Sequence, residues 1–417
     1  VVESEPQERL VAYTGERDPV YVRVLRSLYG LRQAALNWYE RLDQELRKSG
    51  LRKSAWEASV YFWAELILLV WVDDILLVGG SDEVQATRKI LQAAFTIRDI
   101  GPISHFLGMR IERDRSRRIL LIDQEGYINQ ILRRFRMAEK AVTTPIEPGT
   151  SLLRRKASPT VYPEGQAIVE ALVDKEEERE ADQQEYQEIV GSLNYAAIAT
   201  RPDISFAIGV LGRFAADPAK RHMTMAIRVM RYLKRTSNLR LQLGMRVEDS
   251  QIGESVVLYT DSDFAGDPNS LKSTTGMLVQ DRYGAIVAWH SKKQSITAKS
   301  TAEAEFIATA TSTDEAVRIH KIDIELHTLS HTHAGSYIPL RVYSDNQANV
   351  QNANIGIHQT KSKTVGVKFH WLVDQVNDGT ITITHIPTTA MLADGFTKPY
   401  GRLKQEEFVL KLGLTRG

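Results

Sequence analysis

The chain has 417 residues, 43% of them hydrophobic and 25% charged, with a formal net charge of +1 and no cysteine. That length carries two or three domains with substantial cores, in the composition range of ordinary globular proteins. The missing cysteine excludes disulfides, thiolate catalysis and cysteine-ligated zinc, and a total charge near zero leaves phosphate recognition to local basic clusters.

Such clusters exist at 110–118 ("RIERDRSRR"), 133–136, 154–156 and 228–240, whereas the stretch after residue 170 is acidic. "HTHAG" at 331–335 reads as a polar loop rather than a metal site. The longest apolar run, around 66–72, is too short to span a bilayer. The opening "VVESEPQERL" lacks a signal-peptide pattern and an initiator Met, so the reading is of a piece of a longer product.

In chain order, Leu36, Tyr39, Leu42 and Leu46 recur at helical spacing, with Gly50 as a stop. "LILLVWVDDILLVGG" predicts a buried hairpin with Asp73 and Asp74 at its tip. "SDEVQATRKILQAAF" predicts an amphipathic helix capped by Ser81. "HFLGMRIERDRSRRILLID" predicts a second hairpin turning near Asp114–Ser116, and "YINQILRRFRM" a basic amphipathic helix. Prolines and the acidic run over 143–185 predict a linker or insertion. Helices return from Tyr186, one of them expected to start on Thr200 as N-cap with Asp203 three residues on, and another, basic on one face, covering 219–236. From about 254 strands and helices alternate as in an α/β domain.

Four acids stand out in that last part. Asp261 ends the apolar run "VVLYTD" and Asp345 ends "LRVYSD"; Glu303 opens a helix, and Asp394 follows the strand-like "TITITHIP". Carboxylates at strand ends and on an adjoining helix can converge on one pocket, and their mutual repulsion calls for cations. Taken singly each has a plainer role, as a strand end, a first-turn acid or a cap.

Ten segments then stand in one order: "SLYGLRQ" (27–33), "WVDD" (71–74), "FLGMRI" (106–111), "VGSLNYAAIATRPDISFA" (190–207), "RYLKRT" (231–236), "YTDSDFAGD" (259–267), "SKKQ" (291–294), "STAEAEF" (300–306), "YSDNQAN" (343–349) and "LADGFTKP" (392–399). In that series the chain resembles the carboxy-terminal part of the Pol polyprotein of copia-type LTR retrotransposons, a reverse transcriptase followed by an RNase H domain. The resemblance implies an α/β fold class throughout. A palm-type polymerase fragment would fill 1–145, a linker with helical thumb and connection 146–250, and an RNase H-like domain with a mixed sheet 251–417.

It also implies site residues. Asp73 and Asp74 would be two of three palm metal ligands, and Asp261, Glu303, Asp345 and Asp394 the four ligands of the ribonuclease, all holding Mg²⁺ with Mn²⁺ as a substitute. The first palm aspartate belongs to a motif upstream of "SLYGL" that Glu8 and Asp18 do not reproduce, so the polymerase half is expected to be inactive alone. Tyr29, Gly30 and Gln33 resemble the loop lining the nucleotide site, with a helix-preceding turn as the equal alternative. Phe106, Leu107 and Gly108 resemble the primer grip, or an ordinary core hairpin. Ser291, Lys292, Lys293 and Gln294, with Thr274 and Thr275, would meet phosphate or sugar, the alternative for the first four being an exposed polar turn. Asp263, Asp267 and Glu305 are expected to lie outside the ligand set. The implied partners are RNA–DNA hybrid and primer–template, with upstream Pol segments or integrase, no membrane, and an oligomeric state left open; the implied setting is a cytoplasmic virus-like particle and then the nucleus.

The chain departs from the family where "SKTVG" (362–366) replaces a "TKHID" stretch, where Ala302 replaces Thr, and where Trp71 precedes "VDD". The alternative to an RNase H joined to an incomplete polymerase is a degenerate or domesticated remnant that binds nucleic acid without cleaving it.

Overall fold

The computed structural model describes residues 33–138, 140–150, 152–153, 181–244, 255–330, 338–356 and 363–417. Two compact units divide the chain: residues 1–102 with 321–336, and residues 103–320 with 337–417.

In the first unit, α1 (Ala34–Lys48) is followed by β1 (Arg52–Lys53), β2 (Val60–Trp63), β3 (Leu66–Trp71), β4 (Asp74–Val78) and α2 (Ser81–Ala94). The strands form one antiparallel sheet in the order β1-β2-β3-β4. Leu42 and Leu46 of α1 and Leu91 of α2 pack on Tyr61, Leu66 and Leu68 of the sheet. The alternating burial along β3 is that of a strand with one covered face. Helix α2 starts one residue earlier than expected: Gly80, not Ser81, is the N-cap, and no side chain caps it. Asp82 and Glu83 in the first turn complement the exposed N–H groups instead.

The second unit begins with β5 (His105–Phe106), β6 (Met109–Asp114), β7 (Ile119–Asp123), α3 (Glu125–Arg134), α4 (Gln183–Ala199), α5 (Ser205–Leu211), α6 (Lys220–Arg235) and β8 (Leu239–Gly244). Then follow β9 (Val257–Ser262), β10 (Thr274–Gln280), β11 (Ile286–Lys293), α7 (Thr301–Ser330, whose residues from 321 on count with the first unit), β12 (Leu340–Ser344), α8 (Gln347–Ile355), α9 (Lys363–Asn377), β13 (Ile381–His385), α10 (Arg402–Lys411) and β14 (Leu414–Arg416). One sheet is antiparallel, β14-β8-β7-β6-β5. The other is mixed, β11-β10-β9-β12-β13, with the first three strands antiparallel and β12 parallel to both β9 and β13. This α/β architecture is the one the resemblance implies. The residues of "SKTVG" after Ser362 form the start of α9, and Val365 is fully buried there.

The expected helix start at Thr200 is not formed. Thr200 is the buried C-cap of α4, and its hydroxyl donates to Gln124 Oε1 at 2.8 Å. Asp203 is drawn instead into a buried ion pair with Arg201, two hydrogen bonds of 2.9 and 2.7 Å, with Tyr232 donating to the same carboxylate. Arg201 is completely buried and also donates to Thr236, so its need for a counter-charge outweighs a cap.

Candidate metal centre

Strands β9 and β12 are parallel neighbours, and Tyr259 pairs with Tyr343. Asp261 and Asp345 each lie two residues beyond that pair, so the period of two sends both carboxylates out on the same side of adjacent strands. A third acid arrives from α7. It is Glu305: one carboxylate oxygen each from Asp261, Glu305 and Asp345 lie within 4.8 Å of one another.

Glu303, the acid expected here, is not in this group. The "STAE" segment is a helix start, in which Ser300 Oγ accepts from the Glu303 N–H at 3.2 Å and Glu303 Oε2 accepts from the Lys299 N–H at 2.7 Å. The Ser-to-Glu spacing is that of a capping box, with Glu303 reaching the N–H of Lys299, one residue before the Ser. The sequence carried that signal. Two residues further, about 200° around the helix, Glu305 is buried, and its Oε1 accepts from the Ser262 N–H at 3.2 Å.

Each of the three acids has one oxygen fixed by a donor. Thr397 donates to Asp261 Oδ2, Thr388 to Asp345 Oδ2 at 2.7 Å, and Ser262 N–H to Glu305 Oε1. The opposite oxygen of Glu305 is buried with no hydrogen-bond partner among the described residues. An orphaned buried acceptor in an all-carboxylate cluster fits a hard divalent cation, which prefers oxygen ligands. Without a cation the cluster resists ionisation. Burial, then the charges of Asp394 and Asp345, push Asp261 up to about 7, against the Thr397 hydrogen bond. Burial, then the charges of Asp261 and Asp345, push Glu305 up to about 9.

Asp394, in the 3₁₀ turn Leu392–Phe396, is buried close by but outside the trio. Burial would raise its carboxyl, yet Lys398, Tyr400 and Lys404 together hold it below the usual range. Gly276, paired with Asp261 across β9 and β10, makes room for this turn. A methyl group there would come within 2.7 Å of the Ala393 carbonyl oxygen and 2.9 Å of Thr397 Cγ2.

The neighbouring acids Asp263 and Asp267 serve the loop. Asp263 accepts from the Thr274 N–H, and burial raises its carboxyl. Asp267 is lowered to about 2, because Ser270, Lys293 and Asn269 outweigh the effect of burial. Ser291, Lys292 and Lys293 belong to β11 rather than to an exposed turn. Lys293 pairs with Asp267 at 3.1 Å, and buried Gln294 donates to Thr275 Oγ1 and the Ala304 carbonyl, so these side chains and the buried Thr274 and Thr275 face inward. Lys292 is the exposed member of the four.

In the first unit, the β3–β4 hairpin turns through Val72 and Asp73, with Val72 at φ 52° and Trp71 paired with Asp74. Asp73 lies in the turn and Asp74 opens β4, both exposed, and no residue of β4 is fully buried, in contrast to the buried hairpin that the apolar runs predict. Among the described residues no third acid joins them in a metal-holding group. Gln33 precedes α1 and is exposed, whereas Tyr29, Gly30, Glu8 and Asp18 lie outside the described residues. In the second unit, Phe106 pairs with Met109 across a tight turn at Leu107 and Gly108, both at positive φ, and Tyr195 donates to the Leu107 carbonyl.

Residues 11–148 match the family described as reverse transcriptase (RNA-dependent DNA polymerase). The chain is similar to the retrovirus-related Pol polyprotein from transposon TNT 1-94 of Nicotiana tabacum, 35% identical over 91% of this chain and 27% of that protein. It is similar also to a transposon Ty5-1 protein of Saccharomyces cerevisiae, 30% identical over 71% of this chain and 90% of that one. Among solved structures, RNase H1 from Halobacterium salinarum is matched at 19% identity and a TM-score of 0.25, over 36% of this chain and 97% of that one. The chain spans about a quarter of the length of the plant transposon polyproteins it matches. Identity at this level along nearly the whole length, together with the family match, places the chain in the copia-type retrotransposon Pol polyproteins, with that family's reverse transcriptase region at its amino-terminal side.

Proposed function

We propose that residues 251–417 form a ribonuclease H that hydrolyses the RNA strand of an RNA–DNA hybrid, with Asp261, Glu305 and Asp345 as ligands for divalent cations and Asp394 as a fourth acid. The observation that carries the reading is the buried, partnerless Glu305 Oε2 within a trio of carboxylates. Mg²⁺ or Mn²⁺ supplies activation of the attacking water and neutralisation of the departing 3′ oxygen. The chain's own residues do the holding. Thr388, Thr397 and the Ser262 N–H fix one oxygen of each ligand so that the other is presented in one orientation, which lowers the reorganisation a bound ion would demand. Selectivity for hybrid is expected from shape and 2′-hydroxyl contacts rather than base edges, with Lys292 as an exposed cation on β11.

The same reading assigns Asp73 and Asp74 to the metal site of a polymerase palm within residues 1–145, Phe106–Gly108 to its primer grip and 146–250 to thumb and connection. The support is the exposed two-acid hairpin tip and the reverse transcriptase match. Primer–template and hybrid are then the ligands of the two halves.

The test is Mg²⁺-dependent cleavage of labelled RNA within a hybrid. Asp345→Asn and Glu305→Gln are expected to lose about 100-fold or more, since even outer-shell partners of a metal typically cost 10–100-fold. Glu303→Gln keeps a rate near that of the unaltered chain. Equal cleavage by the unaltered chain and Asp345→Asn, or an uncut hybrid, removes the proposal and leaves a nucleic-acid-binding remnant.

A further inference from the structure

Asp394 has both oxygens engaged. Oδ1 forms an ion pair with Lys398 Nζ, while Oδ2 accepts from the Tyr400 hydroxyl at 2.7 Å and from Lys404 Nζ at 3.0 Å. The carboxylate side chain is 4% exposed, but those of Lys398 and Lys404 are 49% and 57% exposed. The acid is therefore fixed inside, and the ammonium of Lys398 can leave into solvent without breaking the core. Asp261 and Asp345 also act on Lys398 through their charges, which puts that ammonium in the field of the carboxylate trio. A lysine so placed does in part what a metal ion does: it neutralises carboxylates that would otherwise repel one another.

We propose that Lys398 is a built-in competitor for the second divalent cation, holding Asp394 Oδ1 until an ion that takes Asp394 as a ligand displaces it. The inference rests on the reading of Asp261, Glu305 and Asp345 as a cation site. The first ion is held by those three, whose partners do not include a lysine hydrogen bond. The second needs Asp394 and so carries the cost of breaking a charge-assisted hydrogen bond. Binding of the two ions is sequential, and the gap between their affinities is set by Lys398.

The experiment is calorimetric titration of Mn²⁺ into the metal-depleted full chain, carrying Asp73→Asn and Asp74→Asn so that the hairpin acids do not contribute. Two classes of site are expected, one tight and one weak. Lys398→Met tightens the weak class by about tenfold, the equivalent of one charge-assisted hydrogen bond, and the tight class by less, since Lys398 acts on Asp261 and Asp345 through charge alone. Lys398→Gln gives the same direction if the Met variant does not fold, and Asp394→Asn abolishes the weak class. A weak class unmoved by both Lys398 variants, or the absence of a weak class in every protein, overturns the proposal. Loss of the underlying reading looks different: the tight class is then missing, or persists in Asp345→Asn.

Discussion

At the scale of single residues, the acids of the candidate metal centre were half legible. Asp261 and Asp345 follow apolar runs that could only be strands, and their partner strands place them together. The choice between Glu303 and Glu305 turned on a local signal, the capping-box spacing from Ser300 to Glu303, that competes with the family pattern for the same segment. Burial makes stability depend on pH through Asp261 and Glu305. Asp261 and Glu305 are raised from ordinary values near 4 to about 7 and about 9. The folded state therefore binds protons more tightly than the unfolded state, and stability falls as pH rises from about 4 through those values. In EDTA, the melting temperature should decline from pH 5 to pH 9 more steeply for the unaltered chain than for Glu305→Gln, and Mg²⁺ should restore it at pH 8. Parallel pH profiles for the two proteins, with no effect of Mg²⁺, count against a charged cluster.

Among the elements, those with strong period and local stops were read correctly: α1, both hairpins, α3 and α6 fall where the sequence pattern puts them. The segment around Thr200 was misread because its governing interaction is not local. Arg201 finds Asp203 two residues away, but the network closes only with Tyr232 and Thr236 on the far end of α6, about thirty residues on. No window of sequence around the Pro shows that. Removing the acid leaves a buried guanidinium without its counter-ion, so Asp203→Ala should cost about 3–5 kcal/mol, read as a shift in the urea midpoint at unchanged slope. A loss below about 1 kcal/mol, the range of an exposed pair, refutes the account. The inward contacts of Lys293 and Gln294 are hidden from the sequence for a similar reason, since their partners, Asp267 and the Ala304 carbonyl, lie on a distant loop and on α7.

For the molecule as a whole, ten motifs in one order were enough to give the family and the α/β class, whereas the unit borders were not visible. One unit gathers residues 321–330 at the far end of α7: Glu325 there pairs with Arg52 and accepts from Ser54, and Lys321 lies over the Trp56 ring. Composition shifts mark linkers, not such returns. Two units with separate cores predict stepwise unfolding rather than one transition. Leu46→Ala, a fully buried side chain in the first unit, should lower one urea step by about 2–5 kcal/mol, and Asp203→Ala the other. A single transition moved by either variant shows one cooperative body instead.

The bare α-carbon at position 276 makes one thing plain about reading relatives of this chain. Here a lone methyl group opposite Asp261, touching the Ala393 carbonyl and Thr397, crowds the turn that carries Asp394 while every acid stays in the text. A count of carboxylates would miss such a change; the glycine is a stricter measure of whether the turn of Asp394 can still pack against β9 and β10.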